Sequence, residues 1–283
     1  MRKLTVLLSI FLCQWGWSQT AIQSGEKVVY VDSTGKVLNA GTFSRGTSFS
    51  EGLAAVDAGQ GKPKWFFIGS DFGIKIPYGY DTVGNFHSGI CPVKKGDFWF
   101  YIGTNGLEAF PGRFEEAGNF DKGFAVVRDA NGSYVINELG ERASFGYYQQ
   151  ISLVADSSFG ALPKGEKYWS LFHLNGDTLL KDSFHYVAPS SSGYVLVNRL
   201  GGFRFLDKDG KLAFGRAFLE AKPFSNGWAC IREEKQWYLM DEKGKIKKDL
   251  RLKEGVMMQL PLTPAINYNG KMGALSIQGS WVY

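Results

Sequence analysis

Short apolar and aromatic runs alternate with polar, glycine-containing segments along most of this chain. Runs of the first kind, at residues 28–31, 99–102 and 237–240, combine β-branched and aromatic side chains and end at turn-forming residues. This composition is typical of β-strands. A second kind of run, such as 124–127, stays apolar at every position, which predicts a strand covered on both faces. We therefore expect an all-β protein.

A glycine follows each run of the first kind and recurs at a nearly constant spacing. Three positions before it stands a residue such as Asp207 or Asp241. Asp at the first position and Gly at the fourth are typical of a type I turn, in which the Asp side chain bonds the backbone two residues on. The recurring glycines are Gly35, Gly73, Gly106, Gly140, Gly176, Gly210, Gly244 and Gly279. A period of about 34 residues predicts a tandem repeat protein.

A second landmark is a phenylalanine followed three residues later by glycine, after which the continuous apolar run begins. Clear copies start at Phe49, Phe86, Phe120 and Phe224, and weaker copies have their glycine at Gly160, Gly193 and Gly255. Large side chains expected to pack between units recur seven positions before the turn glycine, at Trp99, Trp169, Phe203, Trp237 and Met272. Trp65 lies one position further out, which predicts an extra residue there. One unit is thus a hairpin, a loop and a third, buried strand.

The count of these elements suggests a propeller. Eight hairpins and seven third strands give seven complete blades from Gly52 to Tyr283, and one hairpin at residues 26–40 is left over. We expect a propeller-like fold of seven blades closed by pairing of the two ends. The alternative is an open β-superhelix whose end units act as caps. Because no linker interrupts the repeats, residues 19–283 are expected to form a single domain.

Residues 1–18 differ from the rest of the chain in composition. Arg2 and Lys3 precede a short apolar stretch at 4–12, and small residues follow at 16–18, which is the pattern of a cleaved secretory signal peptide. The apolar stretch is far shorter than the roughly 20 residues of a membrane span. Bulky residues precede Cys13 and argue against a lipid anchor there. The mature protein is expected in the periplasm, on the cell surface or outside the cell, with no transmembrane segment.

Charge and cysteine content limit the partners. Without Arg2 and Lys3 the chain carries 30 basic and 27 acidic residues, a balance too even to indicate a nucleic-acid partner. Cys91 and Cys230 fall at positions of third strands that are out of register with one another. We interpret them as small buried apolar residues and not as a disulfide.

Candidate catalytic chemistry is scarce. The spacing of His87, His173 and His185 matches no metal motif, and there is no serine-hydrolase elbow or phosphate-binding loop. Asp207–Gly210 is similar to the start of a calcium loop, but the later ligands are missing and the segment coincides with a repeated turn. We therefore predict no catalytic, cofactor-binding or metal-binding residues, no cofactor, and a protein that is not an enzyme.

The units resemble the WG repeat, also called the KWG repeat, of bacterial β-repeat proteins. The similarity is clearest at Lys64-Trp65-Phe66-Phe67-Ile68, at Ile76-Pro77-Tyr78-Gly79-Tyr80-Asp81, and at residues 49–56, which read Phe-Ser-Glu-Gly-Leu-Ala-Ala-Val. It extends over about residues 26–283, although Trp is followed by Phe, Ser or Tyr and not by Gly. The resemblance implies a non-catalytic protein and supplies no catalytic residues.

Together these patterns favour an exported protein- or glycan-binding or scaffolding module at the bacterial cell envelope. Two alternatives remain. One is a glycan-active enzyme on a propeller, which needs two carboxylates or a Tyr/His pair in one cleft. The other is a purely structural envelope protein. In either case, function is expected where units depart from the repeat.

Overall fold

The computed structural model describes residues 20–24, 27–32, 36–57, 59, 61, 64–155, 158–188, 192–258, 262–276 and 278–282. The predicted signal peptide, Cys13 and Gly35 lie outside this part of the chain. Two compact units are present. The first comprises the described chain up to Gly96 together with Gly103–Leu107, and the second comprises Asp97–Ile102 and the described chain from Glu108 onward.

The described residues form 26 strands and no helix, which confirms the all-β prediction. The first nine strands are β1 (Thr20–Ser24), β2 (Lys27–Val31), β3 (Val37–Phe43), β4 (Arg45–Gly46), β5 (Leu53–Asp57), β6 (Trp65–Gly69), β7 (Ile74–Tyr80), β8 (Thr82–Val83) and β9 (Ile90–Lys95). The next nine are β10 (Phe98–Gly103), β11 (Glu116–Ala117), β12 (Phe124–Asp129), β13 (Gly132–Asn137), β14 (Tyr148–Ala155), β15 (Ser158–Pro163), β16 (Trp169–His173), β17 (Thr178–Phe184) and β18 (Tyr186–Ala188). The last eight are β19 (Val195–Arg199), β20 (Gly202–Leu206), β21 (Glu220–Ala221), β22 (Trp228–Glu233), β23 (Gln236–Asp241), β24 (Leu262–Ile266), β25 (Met272–Ser276) and β26 (Trp281–Val282). Within the described ranges, no helix is long and apolar enough to span a membrane.

A complete repeat in the first unit is a four-stranded antiparallel sheet in the order β4-β5-β6-β7. The third strand of the predicted unit, β5, lies between two neighbours and is buried at all five positions, as its continuous apolar character predicts. The sequence predicts three strands per repeat, and the structure adds β4. Two residues are too few to show a period, so no sequence pattern marks this strand.

The N-terminal hairpin is not left over. β1 pairs with β2 from Thr20↔Val31 to Ser24↔Lys27, so the hairpin of β2 and β3 carries its own third strand. The sequence does not reveal β1, because the segment directly follows the predicted signal peptide and has no Phe-x-x-Gly motif before it.

In the second unit the same order recurs, with one fusion. The sheets β18-β19-β20 and β21-β22-β23 each begin with a short strand. The buried third strand of one predicted unit follows, and then the first hairpin strand of the next unit. Strands β11 to β17, however, form one seven-stranded sheet. The fusion occurs at β14, where Tyr148 pairs both with Ser133 of one repeat and with Pro163 of the next.

Every complete repeat closes its hairpin with the same spacing. The first residue of a repeat pairs with the residue 15 positions later, and the pairs are Val28↔Phe43, Trp65↔Tyr80, Trp99↔Phe114, Ser133↔Tyr148, Trp169↔Phe184, Phe203↔Phe218 and Trp237↔Leu252. We call this first residue the bridging residue. Trp169 and Trp237 pack in apolar clusters, which confirms the predicted packing role of these two residues. Met272, predicted for the same role, is 77% exposed, so the prediction is wrong there.

A second constant spacing joins aromatic rings. The residue two positions after the bridging residue packs against the Phe of the Phe-x-x-Gly motif that follows it in the chain. The ring centroids lie 5.0–5.2 Å apart in Tyr30–Phe49, Phe67–Phe86, Tyr101–Phe120 and Phe205–Phe224. Their edge-to-face geometry is favourable for aromatic pairs.

The Phe-x-x-Gly motif itself is a tight turn. Its third and fourth residues both have positive φ, as at Ser88 (54°) and Gly89 (75°). Two consecutive positive φ angles are the mark of the type I′ turn, whose twist matches the flanking strands. The turn brings His87 and Ile90 into mutual backbone hydrogen bonds. The weak copies predicted at Gly160 and Gly255 are wrong, because neither glycine has positive φ, whereas Gly193 does.

The recurring hairpin turn is confirmed at six glycines. The amide of each donates to the carbonyl three residues earlier in Gly106, Gly140, Gly176, Gly210, Gly244 and Gly279. Gly73 is the exception. Phe72 occupies the position seven residues after Trp65, has a φ of 61° and donates its amide to the carbonyl of Gly69. The extra residue inferred at Trp65 is therefore wrong, because the turn keeps its spacing and Phe replaces the glycine.

Repeat length varies in a different place, the hairpin between the third strand of one repeat and the next bridging residue. In β12–β13 two residues separate Asp129 from Gly132. Between β15 and β16 the connection spans residues 164–168. The spacings of the bridging pair and of the aromatic pair are the same in each repeat that has them, so the packed part has a constant length. Differences in repeat length therefore occur in this hairpin.

Candidate functional site

The three histidines lie in three different elements. His87 lies exposed in a type I′ turn, His173 begins a hairpin turn, and His185 lies exposed with its ring 5.1 Å from that of Tyr168. Across the part of the chain that the structure describes, no group of three or more His, Cys, Asp or Glu residues could hold a metal ion.

Asp207–Gly210 forms a repeated turn. The Oδ1 atom of Asp207 accepts the amides of Asp209 and Lys211, each at 2.9 Å, and the Asp209 carboxylate lies 2.7 Å from Lys208 Nζ. Oδ1 of Asp207 therefore closes the turn by accepting two backbone amides, as the turn interpretation predicts.

Both cysteines of the described chain are free and buried, as the sequence predicts. Cys91 lies in β9 and Cys230 in β22, and their exposed fractions are 0% and 1%. Burial raises the pKa of the Cys230 thiol to about 11 and also raises the pKa of Cys91. Since the thiolate is the nucleophile and the metal ligand, neither side chain is suited to reaction or metal binding.

An open cavity of about 690 Å³ lies in the second unit, within the fused sheet. We call it the Tyr148 cavity. Its lining residues come from β14 to β17 and the connection at 164–168, and are Tyr148, Pro163, Glu166, Tyr168, Ser170, Phe172, Thr178, Lys181 and Ser183. This volume is in the range of small-ligand sites.

The cavity exists because one side chain is small. Ser170 directly follows the bridging residue Trp169, and other repeats carry larger side chains at this position, namely Val29, Phe66, Phe100, Tyr134, Arg204 and Tyr238. In the second unit the aromatic residues at this position are covered by cations: Arg113 lies 4.9 Å from the ring centroid of Phe100, and Lys248 lies 4.6 Å from that of Tyr238. Serine leaves the corresponding space open.

The longer hairpin adds one wall. Residues 164–168 replace a two-residue connection and place Glu166 and Tyr168 beside the opening. Tyr168 is 42% exposed, and its ring meets His185 edge to face at an interplanar angle of 85°. The cavity therefore combines a small side chain, at a position where other repeats have a larger, partly buried one, with an inserted loop.

Aromatic rings form the apolar part of the lining. Tyr148 and Phe172 lie 5.4 Å apart, and both pack on Phe159 at 5.4 and 5.6 Å. The Tyr148 hydroxyl donates to the Phe145 carbonyl at 2.9 Å, and burial raises the Tyr148 pKa. Tyr148 is thus a neutral, fixed packing residue at physiological pH.

Several polar groups of the lining have no protein partner. Among the described residues, none forms a hydrogen bond or ion pair with the side chains of Ser170, Glu166, Thr178 or Lys181. The finding is most informative for Ser170, which is only 7% exposed. Its hydroxyl lines the open cavity, where it can accept a hydrogen bond from a ligand or donate one.

Function was expected where units depart from the repeat, and the sequence patterns did not identify Ser170 as such a place. The residue belongs to no chemical motif. Comparison of the residues that directly follow Trp65, Trp99, Trp169 and Trp237 would have found it, because these residues are Phe, Phe, Ser and Tyr. The signal is a small side chain at a position where the other three Trp-containing repeats of this chain have an aromatic one.

The fold defines this protein as a propeller-like, all-β repeat protein. The chain is similar to a eukaryotic initiation factor with a TM-score of 0.58 and 10% identity, over 93% of this chain and 84% of that one. It is also similar to BamB from Moraxella catarrhalis, with a TM-score of 0.43 and 10% identity over 93% of this chain and 94% of that one. The C-terminal WD40 domain of Sif2 gives a TM-score of 0.42 and 12% identity over 77% of this chain and 75% of that one. At these identities the first likeness supports the fold alone.

Three segments of the chain match a known repeat family. The family model described as "WG containing repeat" matches residues 65–97, 99–134 and 203–237, which confirms the resemblance stated from the sequence. No curated protein matches the chain significantly. The Tyr148 cavity, at Tyr148–Ser183, lies outside the three matched segments, in the part of the chain where the repeat is least regular.

Proposed function

We propose that this protein is an exported, non-catalytic binding module that holds its ligand in the Tyr148 cavity at the cell envelope. One observation carries the proposal: a repeat that departs from the others opens a cavity lined by the Ser170 hydroxyl, which has no hydrogen-bond partner within the described protein. Binding sites combine an apolar lining with a few polar groups that fix orientation, and this cavity has both.

The composition of the lining supports binding over glycan hydrolysis. Hydrolysis by paired carboxylates requires two acidic groups on either side of the scissile bond. Glu166 is the one carboxylate among the nine described lining residues. The His185 ring touches Tyr168, but neither side chain forms a hydrogen bond or ion pair with another described acid or base. The proposal of an envelope location rests on the signal-peptide pattern of residues 1–18.

The direct test is to immobilise residues 19–283 and expose them to a glycan array and to envelope extract from the host cell. A Ser170→Phe variant, which fills the cavity, is run in parallel. We expect ligands that bind the wild-type protein and not the variant. Equal capture by both proteins, or no capture by either, would contradict the proposal and favour a purely structural envelope protein.

A further inference from the structure

We infer that the Tyr148 cavity binds the neutral sugar units of a glycan. This inference rests on the proposed function and specifies its ligand. Three properties of the lining support it: the mixture of aromatic and hydroxyl groups, the balanced charge, and the position of Ser170 in the interior of the sheet.

The chemical mixture matches a sugar ring. A pyranose presents C–H groups on its faces and hydroxyl groups around its edge. Tyr168 and Phe172 supply aromatic surface for the C–H faces, and Ser170, Thr178 and Glu166 supply hydrogen-bonding groups for the hydroxyls. Aromatic rings contribute binding energy through contact area without a large loss of side-chain freedom.

The charge of the lining favours a neutral ligand. Lys181 and Glu166 are the two charged residues of the described lining, and they balance one another. A phosphate or a polyanionic glycan would be expected to require an excess of basic groups, and bidentate arginine in particular. Arginine is absent from the nine described lining residues.

The position of Ser170 favours a glycan over an extended peptide. A peptide that binds by strand addition needs a free strand edge. Ser170 and Phe172 lie on β16, which pairs with β15 on one side and β17 on the other, so its main chain is already bonded. A peptide added to the outer edge of β17 would leave the Ser170 hydroxyl without a partner. A ligand that reaches this hydroxyl approaches from the face of the sheet, and the hydroxyl groups of a sugar can both donate to it and accept from it.

The test uses ligand-observed saturation-transfer NMR with neutral tetrasaccharides: cello-, malto-, xylo- and chito-oligosaccharides. An alginate tetramer serves as the anionic probe and a randomised hexapeptide mixture as the peptide probe. The variants are Ser170→Phe, which closes the cavity with the side chain found in other repeats, and Ser170→Ala, which removes the hydroxyl and keeps the cavity. Tyr238→Phe is the matched control, since Tyr238 holds the equivalent position in another repeat.

We expect at least one neutral tetrasaccharide to bind the wild-type protein and the Tyr238→Phe control equally. Ser170→Phe should weaken that binding at least tenfold and Ser170→Ala by about three- to tenfold, the effect of one lost hydrogen bond. Raising the salt concentration should leave the affinity unchanged. Thermal unfolding of each variant shows that it is folded, and the Ser170→Ala result stands even if Ser170→Phe fails to fold.

Two outcomes overturn the inference in different ways. If the alginate or peptide probe binds in a Ser170-dependent manner and no neutral tetrasaccharide does, the glycan class is wrong and the binding module still stands. If no probe shows binding that depends on Ser170, the inference is wrong, and the array and extract experiment then decides the proposed function separately.

Discussion

At the scale of single residues, the recurring glycine meets two separate demands. Gly140 has a φ of 77°, a conformation that L-residues adopt at a cost. A Cβ atom at this position would also collide with the ring of Phe110, a buried residue of the preceding repeat. Gly165 has a similar φ of 80°, but no atom lies within 4 Å of the place that a Cβ atom would take. The two glycines therefore separate backbone strain from close packing.

Alanine substitution at these two positions should give different losses of stability. Gly165→Ala is expected to lower the free energy of unfolding by about 1–2 kcal/mol, the cost of the left-handed conformation. Gly140→Ala adds the displacement of Phe110 and should cost about 2–4 kcal/mol. Urea denaturation of both variants beside the wild-type protein measures the difference. Equal losses would show that close packing against Phe110 does not contribute.

The buried thiol of Cys230 predicts a pH dependence. Its folded-state pKa of about 11 lies above the ordinary value of 9.0, so only the unfolded chain releases the proton between these values. The contribution of the protonated Cys230 thiol to the free energy of unfolding is fully present below pH 9 and is lost as the pH rises through 11. By pH 10 the loss relative to pH 8 should be about 1 kcal/mol.

The measurement is urea denaturation at pH 8 and pH 10 for the wild-type protein and for Cys230→Ala. Other groups with raised pKa values, such as Tyr30 at about 12, contribute equally to both proteins and cancel in the comparison. We expect the wild-type protein to lose more stability than the variant over this interval. A parallel loss in both would contradict the assignment to Cys230.

At the scale of elements, the type I′ turn links consecutive repeats. Ser50 lies in one such turn and its hydroxyl donates to the carbonyl of Phe86, the motif Phe of the next repeat, at 2.5 Å. The same bond recurs from Ser225 to the carbonyl of Met258 at 2.7 Å. Met258 takes the place of the motif Phe in its repeat and packs in one apolar cluster with Leu239, so an aliphatic pair replaces the aromatic pair there. The Phe-x-x-Gly motif thus forms its own turn and, through the serine hydroxyl, bonds the corresponding residue of the next repeat.

The residue before the motif glycine should control the stability of this turn. Ser88 has a φ of 54°, and Asn-Gly is the pair that type I′ turns favour most. Ser88→Asn should raise the free energy of unfolding by about 0.5–1 kcal/mol, whereas the β-branched Ser88→Val should lower it by about 1–2 kcal/mol. Thermal unfolding of the two variants tests the prediction. A stabilised Val variant would contradict the turn assignment.

Which elements the sequence could predict follows from their length and chemistry. Long apolar runs predicted strands that the structure confirms, such as β2, β5 and β23. The two-residue strand β4 was missed because it has no periodicity. Glycine identity places the turn at Gly73, whereas the spacing from Trp65 places it correctly at Phe72. No motif predicts the Tyr148 cavity, because Ser170 differs from its counterparts only in having a smaller side chain.

At the scale of the whole molecule, export and cysteine chemistry must be compatible. The chain expected after removal of residues 1–18 retains Cys91 and Cys230, and the proposed export would bring it into an oxidising compartment. Both side chains are at most 1% exposed, and burial raises the pKa of both thiols. In the folded protein they are therefore protected from oxidation, because the reactive thiolate is not formed and oxidants cannot reach the sulfur. The buried thiols therefore permit the location that residues 1–18 predict.

Export of this chain should be directly visible in the cell. We expect the protein to leave the cytoplasm and to lose residues 1–18, because a basic start, a short apolar stretch and small residues together direct signal-peptide cleavage. Cell fractionation should place it outside the cytoplasmic fraction, and intact-mass analysis should give a chain that begins at Gln19. A variant lacking residues 4–12 should stay in the cytoplasm at full length, with Trp237→Phe as a control that leaves residues 1–18 unchanged. A full-length cytoplasmic wild-type protein would contradict export, and a lipid mass on a chain beginning at Cys13 would replace the free mature protein with an anchored one.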